Sequence, residues 1–214
     1  VVGETNTNDL YVYRDTDGDG VADEKKPFYI GGNRGGNLEH QPSGLIWSMD
    51  NWLYTTYNAH RLRLDPATGT VRKEGTGNNG GQWGLTQDNH GKPWYVNAGG
   101  ERGPLNFQVP IVYGALNTGD QFAPSYRIVY PLVPIPDVQG GNRRFRPKEK
   151  TLNHFTATCG QEIYRGDRLP KELLGNLFFG EPVGRLVRRT VIKNDEGVSL
   201  LSNPHPKSEF IRTP

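Results

Sequence analysis

The sequence has one cysteine, Cys159, one methionine, Met49, and no long apolar run. A single thiol cannot build an internal disulfide framework, a thiolate metal cluster or a two-cysteine haem attachment motif. Flanked by Ala157, Thr158 and Gly160, Cys159 reads as a small buried side chain rather than a catalytic thiol. With no stretch of about 18 apolar residues and no recognisable signal peptide, nothing here reads as a membrane span. Charge of one sign is lacking too. The 25 basic and 23 acidic residues are spread along the chain and leave a formal charge of +2, which excludes the dense basic stripe of a nucleic-acid binder. The nearest approach, Arg143-Arg144-Phe145-Arg146-Pro147-Lys148, reads as a solvated loop. Helical periodicity is almost absent. Only residues 169–174, opened by Pro170, could form a turn or two of helix.

What is present is turn-forming. The 28 glycines and 16 prolines, with 34% hydrophobic residues, suit many short strands joined by turns. In residues 40–57, Gly44 to Ser48 and Trp52 to Tyr57 are rich in β-branched and aromatic residues, and Met49-Asp50-Asn51 supplies the turn between them. This predicts a hairpin with His40 at its rim. Gly84 to Val96 repeats the pattern 40 residues later, and a weaker copy runs through Gln161-Glu162-Ile163-Tyr164 to Asn176-Leu177-Phe178-Phe179-Gly180-Glu181. Recurrence near 40 residues with several short strands per unit is the signature of four-stranded propeller blades, so the predicted fold is an all-β propeller. At about 40 residues a blade, some of the units are incomplete, and the chain, with no initiator methionine, reads as part of a longer propeller.

The sharpest motif is Asp15-Thr16-Asp17-Gly18-Asp19-Gly20-Val21-Ala22-Asp23. Carboxylates at alternate positions can curl round a hard cation while glycine permits the bend. Lys26 stands where an EF-hand needs a glutamate, so a shorter loop within a hairpin is expected. Its ligands would be Asp15, Asp17, Asp19, Asp23 and the Val21 carbonyl, and calcium its structural guest; the alternative is a solvated acidic turn.

Strands are also predicted at Asp9 to Arg14 and Pro27 to Ile30 around this loop, and at His60 to Leu64 and Thr70 to Glu74 after the first hairpin. From Phe107 to Gln139 the chain is proline-punctuated and reads as a degenerate blade with an insertion, Ser125 to Tyr130 being its strand. Gly184 to Ile192 alternates as an outer strand with arginines facing outward, and Ser199 to Leu201 follows. The four tryptophans recur with the unit and read as packing between sheets. His60, His90, His154 and His205 have no ligand spacing among them.

His40 followed by Ser43-Gly44-Leu45-Ile46, a turn and an aromatic-rich strand resembles the soluble quinoprotein glucose/sorbosone dehydrogenases. A closer likeness covers nearly the whole chain. The 15–24 acidic run, Glu39-His40-Gln41, Leu45-Ile46-Trp47, Asp50 to Tyr54, Asn97 to Gly103 and Phe178 to Pro182 resemble the propeller of exported bacterial proteins described as membrane-bound dehydrogenases. The resemblance implies a six-bladed type, a periplasmic or extracellular location, a cytochrome c domain as possible partner in a longer chain, and oxidation of a sugar or alcohol. In that chemistry a base takes the hydroxyl proton while hydride passes to pyrroloquinoline quinone. His40 is the position that matches the base. Gly80-Gly81-Gln82-Trp83 and Pro182-Val183 stand where the soluble enzymes carry an Arg-Asn pair and a lysine, which departs from the quinone-binding pattern.

Gln82, Glu101, Arg102 and Arg185 are the polar residues that blade register could bring to the face of His40. Arg102 would clamp an anion or hydroxyl, Gln82 donate to substrate and Glu101 orient. The competing reading of His40 is a rim histidine bonded to backbone. A non-catalytic, calcium-stabilised propeller that binds glycan or protein remains the alternative function, and a lyase or hydrolase a third, since propellers host many chemistries.

Overall fold

A computed structural model describes residues 1–37, 41, 43–56, 60–76, 83–96, 112–113, 116–117, 130–138, 141–195 and 198–213. These residues are all-β. The first sheet holds β1 (Val2–Gly3), β2 (Leu10–Arg14) and β3 (Glu24–Tyr29) in sequence order. The second is β4 (Ser43–Trp47), β5 (Leu53–Thr56), β6 (His60–Leu64) and β7 (Val71–Gly75), again in order. Two short pairs follow, β8 (Thr86–Gln87) with β9 (Pro93–Trp94) and β10 (Val112–Tyr113) with β11 (Leu116–Asn117). The last sheet runs β12 (Cys159–Ile163), β13 (Leu177–Glu181), β14 (Leu186–Asp195) and β15 (Val198–Ser202), with β16 (Ile211–Arg212) also on β14. Every pairing is antiparallel, and no sheet closes on itself among the described residues. The helical turn expected near Pro170 is a 3-10 helix, Lys171–Leu173. Residues 125–129, most of the predicted Ser125 to Tyr130 strand, lie outside the described residues.

The first sheet, the second, the β8–β9 pair and the last sheet are joined by one apolar cluster at a time. Leu10 and Phe28 of the first sheet meet Leu53 and Leu62 of the second. Trp52 and Tyr54 meet Leu85 and Tyr95. Trp94 and Val96 meet Ile163, Leu177, Phe179 and Leu186 of the last sheet. Neighbouring residues, such as Leu53 and Tyr54 of β5, or Trp94 of β9 and Tyr95 just after it, thus feed opposite clusters, as side chains alternating along extended chain must. Each fully buried large apolar side chain is worth about 1.5–3 kcal/mol, so sandwiched strands contribute to two interfaces at once.

The units repeat in detail. Ser48 N–H donates to Trp52 O and Asn51 N–H to Ser48 O; Asp88 with Lys92 and Gly91, and Tyr164 with Asn176 and Gly175, make the same two bonds. The closing residues are all left-handed, with φ of 64° at Asn51, 76° at Gly91 and 73° at Gly175. Two of the units also share a bulge. Between Ser43↔Thr56 and Ile46↔Tyr54, two residues of β4 oppose one of β5, and the same happens between Cys159↔Gly180 and Glu162↔Phe178. The first bulge residue is a left-handed glycine each time, Gly44 at 65° and Gly160 at 61°.

One expectation is overturned. The arginines of β14 do not all face outward: Arg188 is 0% exposed, because Glu209 waits for it inside. The tryptophans also divide. Trp52 and Trp94 are buried between sheets, but Trp47 is 45% exposed, its indole N–H donating to Asn51 Oδ1.

Candidate functional site

The first strands of the repeating units, β4, β8 and β12, begin side by side. A β-carbon on Gly44 would lie 2.6 Å from Leu85 Cβ, and one on Gly84 would overlap Gln161 Oε1. Gly160 N–H donates to Trp83 O at 3.2 Å. Backbone can approach this closely only where side chains are missing, and Gly44, Gly84 and Gly160 each stand within two residues of the start of their strand. Antiparallel pairing puts the Pro182 to Arg185 turn at this same end, since Cys159 is paired with Gly180 and Glu181 with Leu186. The structure therefore gathers the starts of three units at one end, and the chain enters two of them directly after residues 38–42 and 77–82.

A cavity of about 380 Å³ opens beside this gathering, between the first and second sheets, with β1 on one side and Ser43 to Leu45 on the other. Gln41, Thr55 and His60 are among the residues that line it. Gln41 Oε1 accepts from the Asn6 backbone N–H, and Gln41 Nε2 donates to Asn6 Oδ1, both at 3.3 Å.

His40, Gln82, Glu101 and Arg102 lie outside the described residues. Arg185 is described. It closes the β13–β14 turn with φ of 53°, its N–H donating to Pro182 O at 3.2 Å, and its guanidinium is ion-paired with Asp137.

The acidic loop joins β2 to β3, and its carboxylates converge. Oxygens of Asp15, Asp17 and Asp19 all lie within 4.8 Å of one another on the exposed surface. Backbone N–H groups fold the loop into this shape: Gly18 and Gly20 donate to the two Asp15 oxygens at 2.6 and 2.9 Å, Asp19 to Asp17 at 3.2 Å and Val21 to Asp19 at 2.7 Å. The Gly20 and Gly18 bonds hold the Asp15 carboxyl below its usual range. Asp23 takes a different part. Its Oδ2 accepts from the Thr16 hydroxyl at 2.7 Å and the Thr16 N–H at 2.8 Å, and these bonds hold its pKa low. It pins the loop's base while the other three present oxygens to solvent. Three ionised carboxylates packed this closely repel one another, and a hard cation is the chemistry that relieves it. The donor set is all oxygen and fits calcium better than a softer metal.

Two buried carboxylates escaped sequence reasoning. Glu181 is 0% exposed and saturated by four donors: Thr156 N–H and Ala157 N–H on Oε2, Thr156 Oγ1 and Val183 N–H on Oε1. It ties the segment entering β12 to the turn leaving β13. Burial and then the Glu181 charge push the Cys159 thiol up, so Cys159 is a poor nucleophile. Glu209 forms a two-pronged pair with Arg188, at 2.6 and 2.9 Å, while accepting Leu132 N–H at 2.7 Å. Glu181 was legible only as part of a Phe-Phe-Gly-Glu run, and Glu209 carries no local signal.

The model of the DUF7133 family, described as a domain of unknown function, matches residues 1–214, and the chain belongs to that family. No curated protein and no solved structure matches it.

Proposed function

For this member of the DUF7133 family we propose a role as part of a six-bladed β-propeller that oxidises a sugar or alcohol in the periplasm or outside the cell. The observation that carries the reading is the side-by-side start of β4, β8 and β12, with Gly44 against Leu85 and Gly84 against Gln161. Repeating sheets that stack through one cluster at a time and align their inner strands support blades around a shared axis, with the loops before those strands delivered to one mouth.

In this reading His40 takes the hydroxyl proton as the substrate carbon gives up hydride, leaving a carbonyl. Arg102 and Gln82 hold the substrate and Glu101 orients it. Pyrroloquinoline quinone is the hydride acceptor that the family resemblance implies, and a cytochrome c domain the next carrier. Of the described residues, Arg185 is the candidate for the anionic quinone, and its pairing with Asp137 sets a competitor against that role. Calcium at Asp15, Asp17 and Asp19 acts as a staple on the first sheet and touches no reacting group. No described helix is long and apolar enough to cross a membrane.

The Arg185–Asp137 pair favours a second reading, a non-catalytic calcium-stabilised propeller that binds glycan or protein. Dye reduction separates the two. The enzyme reading expects reduction that requires added quinone and calcium and disappears in His40→Ala. A protein that binds no quinone at micromolar concentration belongs to the binding class.

A further inference from the structure

Residues 143–150 carry five of the chain's 25 basic side chains and one of its 23 acidic ones. The remainder, 20 bases against 22 acids, is slightly negative, so the chain's excess of positive charge resides in this one turn. Like charges so close repel, yet the turn is pinned. Asn153 reaches back to it twice, its N–H donating to Arg144 O at 2.8 Å and its Nδ2 to Arg143 O at 3.0 Å. Arg146 N–H donates to Thr151 O at 2.8 Å, and Lys150 N–H to Arg146 O at 3.0 Å. The Arg146 guanidinium has a structural place, 3.7 Å from the centre of the Tyr130 ring and 3.8 Å from Glu149, the turn's one acid. The other four cations differ. Arg143, Lys148 and Lys150 are exposed and Arg144 partly so, and none of these side chains has an ion pair or hydrogen bond among the described residues. The root of the turn sets it beside the gathered strand starts. Leu152 is fully buried, and a β-carbon on Gly184 would lie 3.3 Å from its Cδ1. Thr151 bridges to Pro134, three residues before the Asp137 that holds Arg185. The four cations therefore stand next to the Pro182 to Arg185 turn.

We infer that this turn is a docking surface for an acidic polysaccharide, a polyuronate with a carboxylate on each sugar. Cations exposed along a turn suit charge that repeats along a chain better than a single small ion, and the planar forks of Arg143 and Arg144 match carboxylates two-pronged. Other polyanions find less here. Pro147 is the only exposed apolar residue of the turn, so nothing inserts into a lipid surface, and no exposed aromatic offers bases a stacking platform. The choice of a sugar chain over an acidic peptide rests on the proposed reading of this end as the mouth of a sugar-oxidising site.

Polygalacturonate is the probe, titrated calorimetrically into the protein with chelator present, beside dextran as its neutral counterpart and poly-L-glutamate as an acidic peptide. Saturable binding of polygalacturonate is expected, with an affinity that falls about tenfold or more between roughly 50 and 200 mM salt. Arg143→Gln with Lys148→Gln should weaken it about tenfold. Arg168→Gln with Lys171→Gln removes the same charge from the turn between β12 and β13, at the other end of the sheet, and should leave it unchanged. Four results overturn the inference: no binding at millimolar uronate, equal binding by dextran or poly-L-glutamate, no loss in the Arg143 and Lys148 variant, or an equal loss in the Arg168 and Lys171 variant. The readout uses neither dye, quinone nor His40. A protein that binds polygalacturonate and reduces no dye keeps this surface and loses the enzymatic reading, and one that oxidises neutral sugars without binding polygalacturonate does the reverse.

Discussion

Gly44 lies against Leu85 with no room for a β-carbon: one placed there would be 2.6 Å from Leu85 Cβ and 2.8 Å from Leu85 N. Its φ of 65° adds a second constraint, since side chains disfavour that conformation by about 1–2 kcal/mol. Gly44→Val combines both with overpacking, and a loss of roughly 3 kcal/mol is expected in denaturant unfolding. Gly69 separates the two effects. It shares a φ of 70° but has open space around it, so Gly69→Ala is expected to cost about 1 kcal/mol. Equal losses at the two sites would show that the contact with Leu85 contributes nothing.

The recurrence of Gly-Leu at Gly44 and Gly84 was legible because the intervening turns have the same length, closed by Asn51 and Gly91. The third copy was faint because its turn, from Tyr164 to Asn176, carries an insertion held by Arg165, which donates to Asn89 and Gln87 of the preceding unit. Strand β3 reaches back to Glu24, through Lys25 and Lys26, which no apolar pattern marks; Lys25 is held there over the Tyr11 ring, its ammonium 4.1 Å from the centroid. The three-carboxylate cluster was visible because all its members sit within one turn. The Arg188–Glu209 pair was not, because 21 residues separate partners that alternation alone would send to the surface.

That buried pair supports a second prediction. Arg188 Nη2 also donates to Tyr130 O at 2.9 Å, so one guanidinium joins β14, the 130–133 segment and the turn before β16. Arg188→Met leaves the Glu209 carboxylate buried with Leu132 N–H as its remaining donor, and Glu209→Leu leaves the buried guanidinium without its carboxylate, although it still donates to Tyr130 O. Each change alone is expected to cost about 3–5 kcal/mol. The double variant Arg188→Met with Glu209→Leu removes both charges and should recover most of the loss, a coupling that a double-mutant cycle measures directly. Additive losses would show that the two side chains stabilise the fold independently.

Calcium should raise the melting temperature of the chain through the Asp15, Asp17 and Asp19 cluster. An ion present at about a hundred times its dissociation constant adds roughly 2.7 kcal/mol. Asp17→Asn keeps the acceptor for Asp19 N–H but removes a charge, so apo stability is expected to change by less than about 0.5 kcal/mol while the calcium-dependent shift falls sharply. Asp23→Asn acts by another route, weakening the bonds from Thr16 that close the loop's base, and should lower stability with or without the ion. Differential scanning calorimetry with and without chelator distinguishes them. A melting temperature indifferent to calcium in the parent chain would leave the cluster as a hydrogen-bonded turn.

Tyr54 and Tyr95, 1% and 0% exposed, should set the alkaline limit of the fold. Burial pushes both phenols above the ordinary 10.0, and at Tyr54 the hydrogen bond it donates to Asp50 adds to the effect. A folded-state pKa raised above the unfolded value stabilises below the unfolded value and loses that contribution as pH climbs past it, because the unfolded chain ionises while the folded one cannot. Stability is therefore expected to fall steadily above about pH 10. In a spectrophotometric titration these two phenols should ionise only with cooperative unfolding, after the exposed tyrosines have titrated. Tyr95→Phe removes one of the two sources, so its stability should decline less steeply with pH in that range than the parent's. An identical decline would mean that Tyr95 ionises in the folded chain as readily as in the unfolded one.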